Sequence, residues 1–154
     1  MRIEFNTISS EQTKALGEFV SSFFTAGDVV LLKGDLGAGK TTFVGGVAKG
    51  LEIKEDVISP TFNIMKCYFK GKLPMYHIDA YRLENMSIEI GLDEYIEGDG
   101  VCLIEWPQYI LPLIPDDHLD ITLLNKGDNH RHIVFESDST HFSELIEGLR
   151  RFSL

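Results

Sequence analysis

The sequence predicts a three-layer α/β fold, in which helices flank a mixed sheet with a parallel core and antiparallel hairpin additions. The aliphatic run Val29–Leu32 is typical of a buried parallel strand, and a helical pattern follows it after a glycine-rich turn. Residues 63–69 and 73–78 are two β-rich runs joined by the turn signal Lys70–Lys72, and residues 118–136 alternate on both sides of a turn, so each pair predicts a hairpin. At 154 residues, the chain is expected to form one domain spanning residues 1–154.

Composition and charge exclude several classes of function. The formal net charge of −10 argues against a surface that binds nucleic acid by itself, because such binding relies on clustered Lys and Arg. Any RNA is expected to be held by another protein, unless the acidity serves solubility alone. The N-terminus lacks a signal-peptide pattern and no run is long enough to span a bilayer, so we expect a cytoplasmic protein without membrane contact. Cys67 and Cys102 lie in apolar runs and are predicted to be buried thiols, not disulfide partners or zinc ligands.

The first elements in chain order are a strand and a helix. Ile3–Asn6 alternates and predicts a short strand. Ser9 and Gln12 form a capping-box pattern, with Ser9 as the N-cap of the helix. The helix is expected to end at Gly27. Its core-facing stripe consists of Leu16, Phe19, Val20, Phe23 and Phe24.

The segment Gly34–Thr41 matches every fixed position of the phosphate-binding pattern G-x-x-x-x-G-K-S/T. Its glycines let the backbone curl around an anion, Lys40 can reach the β- and γ-phosphates, and the Thr41 hydroxyl can ligate Mg²⁺. The strand Val29–Leu32 precedes it, and a helix ending at Gly50 is expected to follow, so the phosphate faces a helix N-terminus. This context predicts a P-loop NTPase-like fold that binds a nucleoside triphosphate.

Residues 57–62 combine small polar and apolar side chains around Pro60, which biases Ser59 to an extended conformation. The segment is either the start of an ordinary strand or a functional element. Nucleotide switches often carry a γ-phosphate-sensing threonine at this place after the P-loop helix, and Thr61 is the candidate.

Two carboxylates follow predicted strands. Asp79 ends the second strand of a hairpin formed by residues 63–69 and 73–78, and is either a cap or turn residue or an Mg²⁺ ligand. Glu105 ends the apolar run Val101–Ile104, which has the form of a Walker B strand with Glu where Asp is commoner. It is expected at the carboxyl edge of the sheet beside the P-loop, where it is either an ordinary strand-end acid or a group that holds a magnesium-bound water or orients the attacking water. Trp106 next to it is either core or a partner anchor.

The remaining segments predict short helical turns over residues 86–96, with Ile88, Leu92 and Tyr95 inward, a hairpin over residues 118–136 and a C-terminal amphipathic helix. The hairpin turn Asn125–Asp128 matches the N-K-x-D guanine-recognition motif of GTPases. We discount this match, because a strand and not a helix is expected to follow it and because Gly-Asp-Asn is ordinary turn chemistry. The helix presents Phe142, Leu145, Ile146 and Leu149 to the sheet.

Four stretches in this order resemble the bacterial TsaE (YjeE) family, small ATPases that act in forming threonylcarbamoyladenosine on tRNA. They are Gly34–Thr42, Ser59–Phe62, His77–Arg82 and Ile104–Pro107. The resemblance spans nearly the whole chain and implies a Mg²⁺-dependent ATPase with weak intrinsic activity. It also implies the transferase TsaD and its companion TsaB as partners, with tRNA contacted indirectly through their complex.

The resemblance also implies roles for individual residues. ATP is expected on Asp35, Gly37, Ala38, Gly39, Lys40, Thr41 and Thr42, with Thr42 on the α-phosphate. Asp79 and Glu105 would serve Mg²⁺, together with Thr41, and the attacking water; Lys40 would act on the phosphates and Thr61 on the γ-phosphate. Ser59, Pro60 and Trp106 would form a partner or switch edge. Asn6, Thr7 and Arg131 are candidate contacts of the base.

Two other functions fit the P-loop. A small-molecule kinase would close an arginine-bearing lid over the transferred phosphoryl group. The five arginines of this chain form no arginine-rich segment between strands, which disfavours a kinase. A non-catalytic nucleotide-dependent switch is the other alternative.

Overall fold

The computed structural model describes residues 1–35, 37–60, 63–84 and 91–154. The strands are β1 (Arg2–Thr7), β2 (Val29–Lys33), β3 (Met65–Tyr68), β4 (Met75–Asp79), β5 (Val101–Glu105), β6 (Leu119–Asn125) and β7 (Arg131–Glu136). The α-helices are α1 (Ser10–Ser21), α2 (Lys40–Gly50), α3 (Asp93–Ile96) and α4 (Ser143–Arg150). Short 3₁₀ segments cover Tyr81–Leu83, Pro107–Leu113 and Thr140–Phe142. Within these ranges, no helix is long and apolar enough to cross a membrane.

The seven strands form one mixed sheet in the order β1-β7-β6-β2-β5-β4-β3. The central strands β6, β2, β5 and β4 are parallel, whereas β1, β7 and β3 pair antiparallel with their neighbours. The parallel core and both predicted hairpins are therefore confirmed. The P-loop strand β2 lies between β5 and β6, so the carboxyl end of β5 is next to the loop that follows β2.

Two helical layers cover the sheet. Val30 and Leu32 of β2 face a core shared with α1, α2 and α4, because alternate residues of a strand point to opposite faces. Val29 and Leu31 face a second core, to which α3 and the segment Pro107–Leu113 contribute. Phe142, Leu145, Ile146 and Leu149 lie in the first core, as the C-terminal helix predicts.

Close packing of α1 on α2 depends on glycines. A Cβ added at Gly46 would collide with the carbonyl oxygen of Lys14, and one at Gly17 with that of Phe43. Gly50 is the last residue of α2, with Leu51 as the C-cap, and a Cβ there would collide with the Ser21 hydroxyl. Glycine is therefore required at position 50 because the two helices pack closely, and not because the residue terminates the helix as predicted.

The N-cap of α1 matches its prediction, whereas the reciprocal half of the capping box and the end of the helix do not. The Ser9 hydroxyl accepts from the Gln12 N–H at 3.2 Å, whereas the Gln12 side chain accepts from Ile8 and not from Ser9. The helix ends at Ser21 and not near Gly27, so Phe23 and Phe24 lie beyond it. The hydroxyls of Ser21 and Ser22 donate to carbonyl oxygens of the preceding turn, which offers the backbone an alternative to further helix.

Two predicted segments lie partly outside the described residues. Val57–Pro60 forms no strand, so the strand-start interpretation fails for these four residues, and Thr61 and Phe62 are not described. Of the helical turns predicted over residues 86–96, the described part contains α3, with Leu92 and Ile96 buried and Tyr95 packed against them. Ile88 lies outside it. Cys102 is buried and Cys67 half-buried, and both thiols are free.

Candidate active site

The P-loop joins the carboxyl end of β2 to the N-terminus of α2. Gly37 and Gly39 have φ values of 79° and 98°, in the left-handed region that favours glycine, and Gly39 is the N-cap of α2. Ala38 between them is buried. The first backbone N–H groups of α2 therefore point into a cleft at the carboxyl edge of the sheet, where an anion is stabilised by the helix terminus.

Lys40, the first residue of α2, is held inside this cleft. Its side chain is 9% exposed, and its Nζ donates to the carbonyl oxygen of Gly34 at 2.6 Å. The same Nζ lies 3.3 Å from Oε1 of Glu105 and 5.3 Å from the centre of the Trp106 ring. The ammonium group is thus paired with a carboxylate at the position where a nucleotide phosphate is expected.

Asp79 and Glu105 are side by side on the face of the sheet that α2 covers. They occupy paired positions of the parallel strands β4 and β5, and are 4% and 5% exposed. Asp79 Oδ1 accepts from the backbone N–H of Tyr81 at 3.0 Å, which forms a side-chain turn into the 3₁₀ segment, whose N-cap is Ala80. The interpretation of Asp79 as a turn residue is therefore confirmed, and its metal role stays a prediction.

Glu105 has a second buried partner. Nε2 of His77 lies 2.6 Å from Oε2 of Glu105. Burial favours a higher pKa for the Glu105 carboxyl, but the hydrogen bond from His77 and the ammonium of Lys40 outweigh burial and hold its pKa below the ordinary range. Glu105 is therefore ionised at neutral pH. From the sequence, His77 was named only as the first residue of the stretch His77–Arg82 and was given no role. The available signal was a polar residue two positions before Asp79, on the same face of a buried strand.

The cleft has a volume of about 660 Å³, within the range of small-molecule sites. Its lining includes these residues named from the sequence: Gly37, Gly39, Lys40, Thr41, Thr42, Ser59, Asp79, Glu105, Trp106 and Arg131. Tyr81, which sequence reasoning missed, also lines it. Asp35 borders a second, smaller cavity that Lys40 also lines, and Pro60 is buried. Thr61 lies outside the described residues, so its predicted role stays a prediction.

The three candidate base contacts are not equivalent. Arg131 lies over the P-loop, and its Nη2 donates to the Gly37 carbonyl oxygen at 3.1 Å. Thr7 is buried with its hydroxyl bonded to that of Thr13, and the Asn6 side chain is bonded to His132. The residues that line the cleft include Arg131 but not Asn6 or Thr7, because the last two belong to the edge strand β1.

The N-K-x-D match lies at the tip of the β6–β7 hairpin. Strand β7, and not a helix, follows the turn, which confirms the expectation on which we discounted the motif. Oδ1 of Asn125 accepts from the Gly127 N–H and from Arg131, so this oxygen serves the turn itself. Its Nδ2 donates a long hydrogen bond of 3.5 Å to the Gly37 carbonyl oxygen of the P-loop.

Trp106 turns the chain sharply after β5. Its φ of 57° is unusual for an aromatic residue and directs Pro107 away from the sheet. Its ring stacks on Tyr109 at 6.2 Å and meets Tyr81 at 5.0 Å. The ring is thereby fixed at the wall of the cleft over the Lys40 ammonium.

The residues present fit a magnesium nucleotide. In the described ranges, no group of three or more His, Cys, Asp or Glu side chains is placed to hold a metal unaided. Mg²⁺ is usually bound through one or two carboxylates together with substrate phosphates, and the pair Asp79 and Glu105, which lines the same cleft as Thr41, is such a donor set.

Comparison with known proteins identifies the family that the four motifs predicted. The family model described as "Threonylcarbamoyl adenosine biosynthesis protein TsaE" matches residues 7–133. The Bacillus subtilis protein named tRNA threonylcarbamoyladenosine biosynthesis protein TsaE is 45% identical over 97% of this chain and 95% of its own. The protein of that name from Nostoc sp. is 39% identical over 88% and 86%, respectively. A crystal structure of Bacillus subtilis YdiB aligns with a TM-score of 0.85 and 42% identity, over 98% of this chain and 95% of that one. This chain belongs to the TsaE family of threonylcarbamoyladenosine biosynthesis proteins.

Proposed function

We propose that this protein binds and hydrolyses MgATP as the ATPase subunit of the tRNA threonylcarbamoyladenosine machinery, together with TsaB and TsaD. The observation that carries the ATPase proposal is the 3.3 Å approach of Lys40 Nζ to Glu105, with Asp79 in the paired position beside it. A phosphate-binding amine and two carboxylates thus share one cleft at a helix N-terminus. The names of the relatives support the pathway.

The P-loop would bind and orient the phosphates. Its backbone N–H groups and Lys40 cradle the β- and γ-phosphates, and Thr42 donates to the α-phosphate. Thr41, Asp79 and Glu105 would hold Mg²⁺, which when bound neutralises charge on the phosphates. Because Lys40 is paired with Glu105 in the free protein, phosphate binding requires Lys40 to exchange one anion for another.

Glu105 would orient the attacking water. A carboxylate with a depressed pKa accepts a hydrogen bond well but takes a full proton poorly, so positioning is the role that its surroundings favour. Phosphoryl transfer needs little covalent help from the protein, and positioning with charge stabilisation is sufficient for it. Thr61 would contact the γ-phosphate.

Weak intrinsic turnover and stimulation by partners complete the proposal. Ser59 and Tyr81 are exposed at the mouth of the cleft, where a partner would meet the nucleotide, and the neighbouring Pro60 and Trp106 would complete this edge. The net charge of −10 favours a protein partner, with tRNA contacted through the complex. We place this assembly in the cytoplasm, with residues 1–154 as one domain.

The test is phosphate release from ATP and from GTP, measured with and without the TsaB–TsaD pair. Stimulation that is specific to ATP and to the pair supports the proposal. Transfer of phosphate to a metabolite would identify a small-molecule kinase, although Arg131 at the cleft is held by carbonyl oxygens of its own hairpin and by the P-loop. A preference for GTP would restore the N-K-x-D motif. Binding without hydrolysis would identify a nucleotide-dependent switch.

Substitutions in the cleft separate binding from hydrolysis. Lys40→Ala is expected to abolish ATP binding in calorimetry, because it removes the side chain that reaches the phosphates. Lys49→Ala is the matched control, since Lys49 lies on the same helix in an exposed pair with Glu18. Asp79→Ala is expected to leave ATP binding largely intact and to remove hydrolysis. Normal partner-stimulated turnover of Asp79→Ala would exclude a catalytic role for Asp79.

A further inference from the structure

We propose that His77 is a positioning residue for hydrolysis: it fixes one oxygen of Glu105 so that the other oxygen faces the nucleotide. The inference rests on the ATPase function proposed above. It gives a role in hydrolysis to a buried histidine whose hydrogen-bond partner is Glu105 and not the phosphate-binding loop.

The two oxygens of Glu105 have different partners. His77 is fully buried on β4, two residues before Asp79 and on the same face of the sheet. Its Nε2 lies 2.6 Å from Oε2 of Glu105. Oε1 lies 3.3 Å from Lys40 Nζ. The Lys40 contact must change when Lys40 binds a phosphate, whereas the His77 contact lies below the cleft and is not in the path of the nucleotide.

The hydrogen bond also indicates the tautomer of His77. Nδ1 is buried and has no hydrogen-bond partner in the part of the chain that the structure describes. A proton on Nδ1 would leave a buried N–H without an acceptor, whereas a proton on Nε2 is donated to an ionised carboxylate. The geometry therefore favours a proton on Nε2 of His77, which is donated to Glu105.

This arrangement gives Glu105 a fixed orientation throughout the cycle. Once Lys40 moves to the phosphates, His77 is the described side chain that still holds Glu105 from the side of the sheet. Without His77, the carboxylate would be held from the nucleotide side alone, and the orientation of its oxygens would be less well defined. Hydrolysis requires the oxygen that faces the water to be positioned within a fraction of an ångström, so this freedom lowers kcat. Nucleotide affinity depends on the P-loop, and we expect His77 to have little influence on KM.

The test compares side chains that replace one imidazole nitrogen at a time. The amide nitrogen of His77→Gln comes near the position of Nε2, whereas that of His77→Asn comes near Nδ1. We expect His77→Asn and His77→Leu to lower kcat by about 10- to 100-fold with KM for ATP little changed, as is typical when the partner of a catalytic ligand is removed. His77→Gln is expected to recover most of kcat. Equal kcat values for the Asn and Gln variants would overturn the proposal.

A matched control and a double mutant exclude a structural explanation. His141→Leu breaks a similar pair, His141 Nε2 to Asp28 at 2.7 Å, at the opposite end of β2. We expect it to lower the thermal midpoint without changing kcat of the folded protein. In a Glu105→Gln background, His77→Leu should cause no further loss of kcat. An additive loss would contradict the proposal, because it would show that His77 acts independently of Glu105.

Nitrogen-15 NMR of the histidines provides a readout that does not depend on turnover. We expect His77 to carry a slowly exchanging proton on Nε2, whose chemical shift moves in Glu105→Gln. An Nδ1–H tautomer would overturn the positioning inference even if the protein is an ATPase. If the wild-type protein with TsaB and TsaD releases no phosphate from ATP while the NMR result is as expected, the proposed function fails and the hydrogen bond stands.

Discussion

Replacing Glu105 with glutamine is expected to tighten ADP binding in the absence of Mg²⁺. In the free protein, the carboxylate is 3.3 Å from Lys40 Nζ and competes with phosphate for that ammonium group. It also repels an incoming phosphate, because both are negative. Glutamine keeps the size of the side chain and its hydrogen-bonding capacity but removes the charge, so Lys40 is released for the nucleotide.

The geometry sets the size of the effect. Two unit charges 3.3 Å apart interact by about 5 kcal/mol at an effective dielectric constant of about 20. Most of this energy is offset, because Lys40 keeps its bond to Gly34 and exchanges Glu105 for another anion. The net value of a charge-assisted hydrogen bond is about 1.5–3 kcal/mol. Since glutamine can still accept from Lys40, we expect the lower end of this range, which is about a tenfold lower Kd.

Calorimetric titration of ADP in the presence of a chelator measures this effect. Glu18→Gln is the control, because Glu18 of α1 forms an exposed pair with Lys49 of α2 at 3.6 Å and should not influence ADP affinity. The gain should shrink when Mg²⁺ is present, since Glu105 is then needed as a metal partner. An unchanged or higher Kd for Glu105→Gln without Mg²⁺ would refute competition between Glu105 and phosphate for Lys40.

Three further predictions concern stability. Gly46→Ala is expected to destabilise the protein by about 1–3 kcal/mol in denaturant unfolding, because its Cβ meets the α1 backbone; Gly45→Ala on the same helix has open space and should stabilise by about 0.5–1 kcal/mol. The pKa of Glu105 is depressed in the fold, so its contribution is present above its ordinary pKa of 4.5 and is lost as pH falls through the lower folded value. Wild-type stability should therefore decline more on acidification than that of Glu105→Gln. The hydrogen bond from Tyr76 to Asp99, together with burial, raises the pKa of Tyr76 to about 12. The contribution of this hydrogen bond to stability is therefore present below the ordinary pKa of 10 and is lost as pH rises through about 12. Tyr76→Phe should lack this alkaline decline in stability.

Local patterns were sufficient to predict the elements that hold the site. The run Val29–Leu32 and the glycines after it predict a strand, a loop and a helix N-terminus because each of these has a short-range physical signature. The same holds for the strand-end positions of Asp79 and Glu105. The end of α1 was wrong, because backbone bonding by Ser21 and Ser22 competes with apolar periodicity that continues through Phe24.

The contacts across the sheet could not be predicted from the same patterns. Asp79 and Glu105 are 26 positions apart in sequence, and only the pairing of β4 with β5 makes them neighbours. His77 is an ordinary buried strand residue until that pairing brings its Nε2 to Glu105. From the sequence, Gly50 resembles an ordinary glycine at a helix C-terminus. The lack of space for a Cβ at this position becomes evident only when α1 packs on α2.

The sequence by itself determined that the chain has an α/β fold with a phosphate-binding loop, because strand, loop and helix signals act over a few residues. It also determined the family, through four motifs in order. The tertiary structure decided that Lys40 is paired with Glu105 in the free protein, that His77 holds the second oxygen of that carboxylate, and that Arg131 rather than Asn6 or Thr7 reaches the cleft. These relations depend on strand order and register, which bring together residues that no local pattern connects.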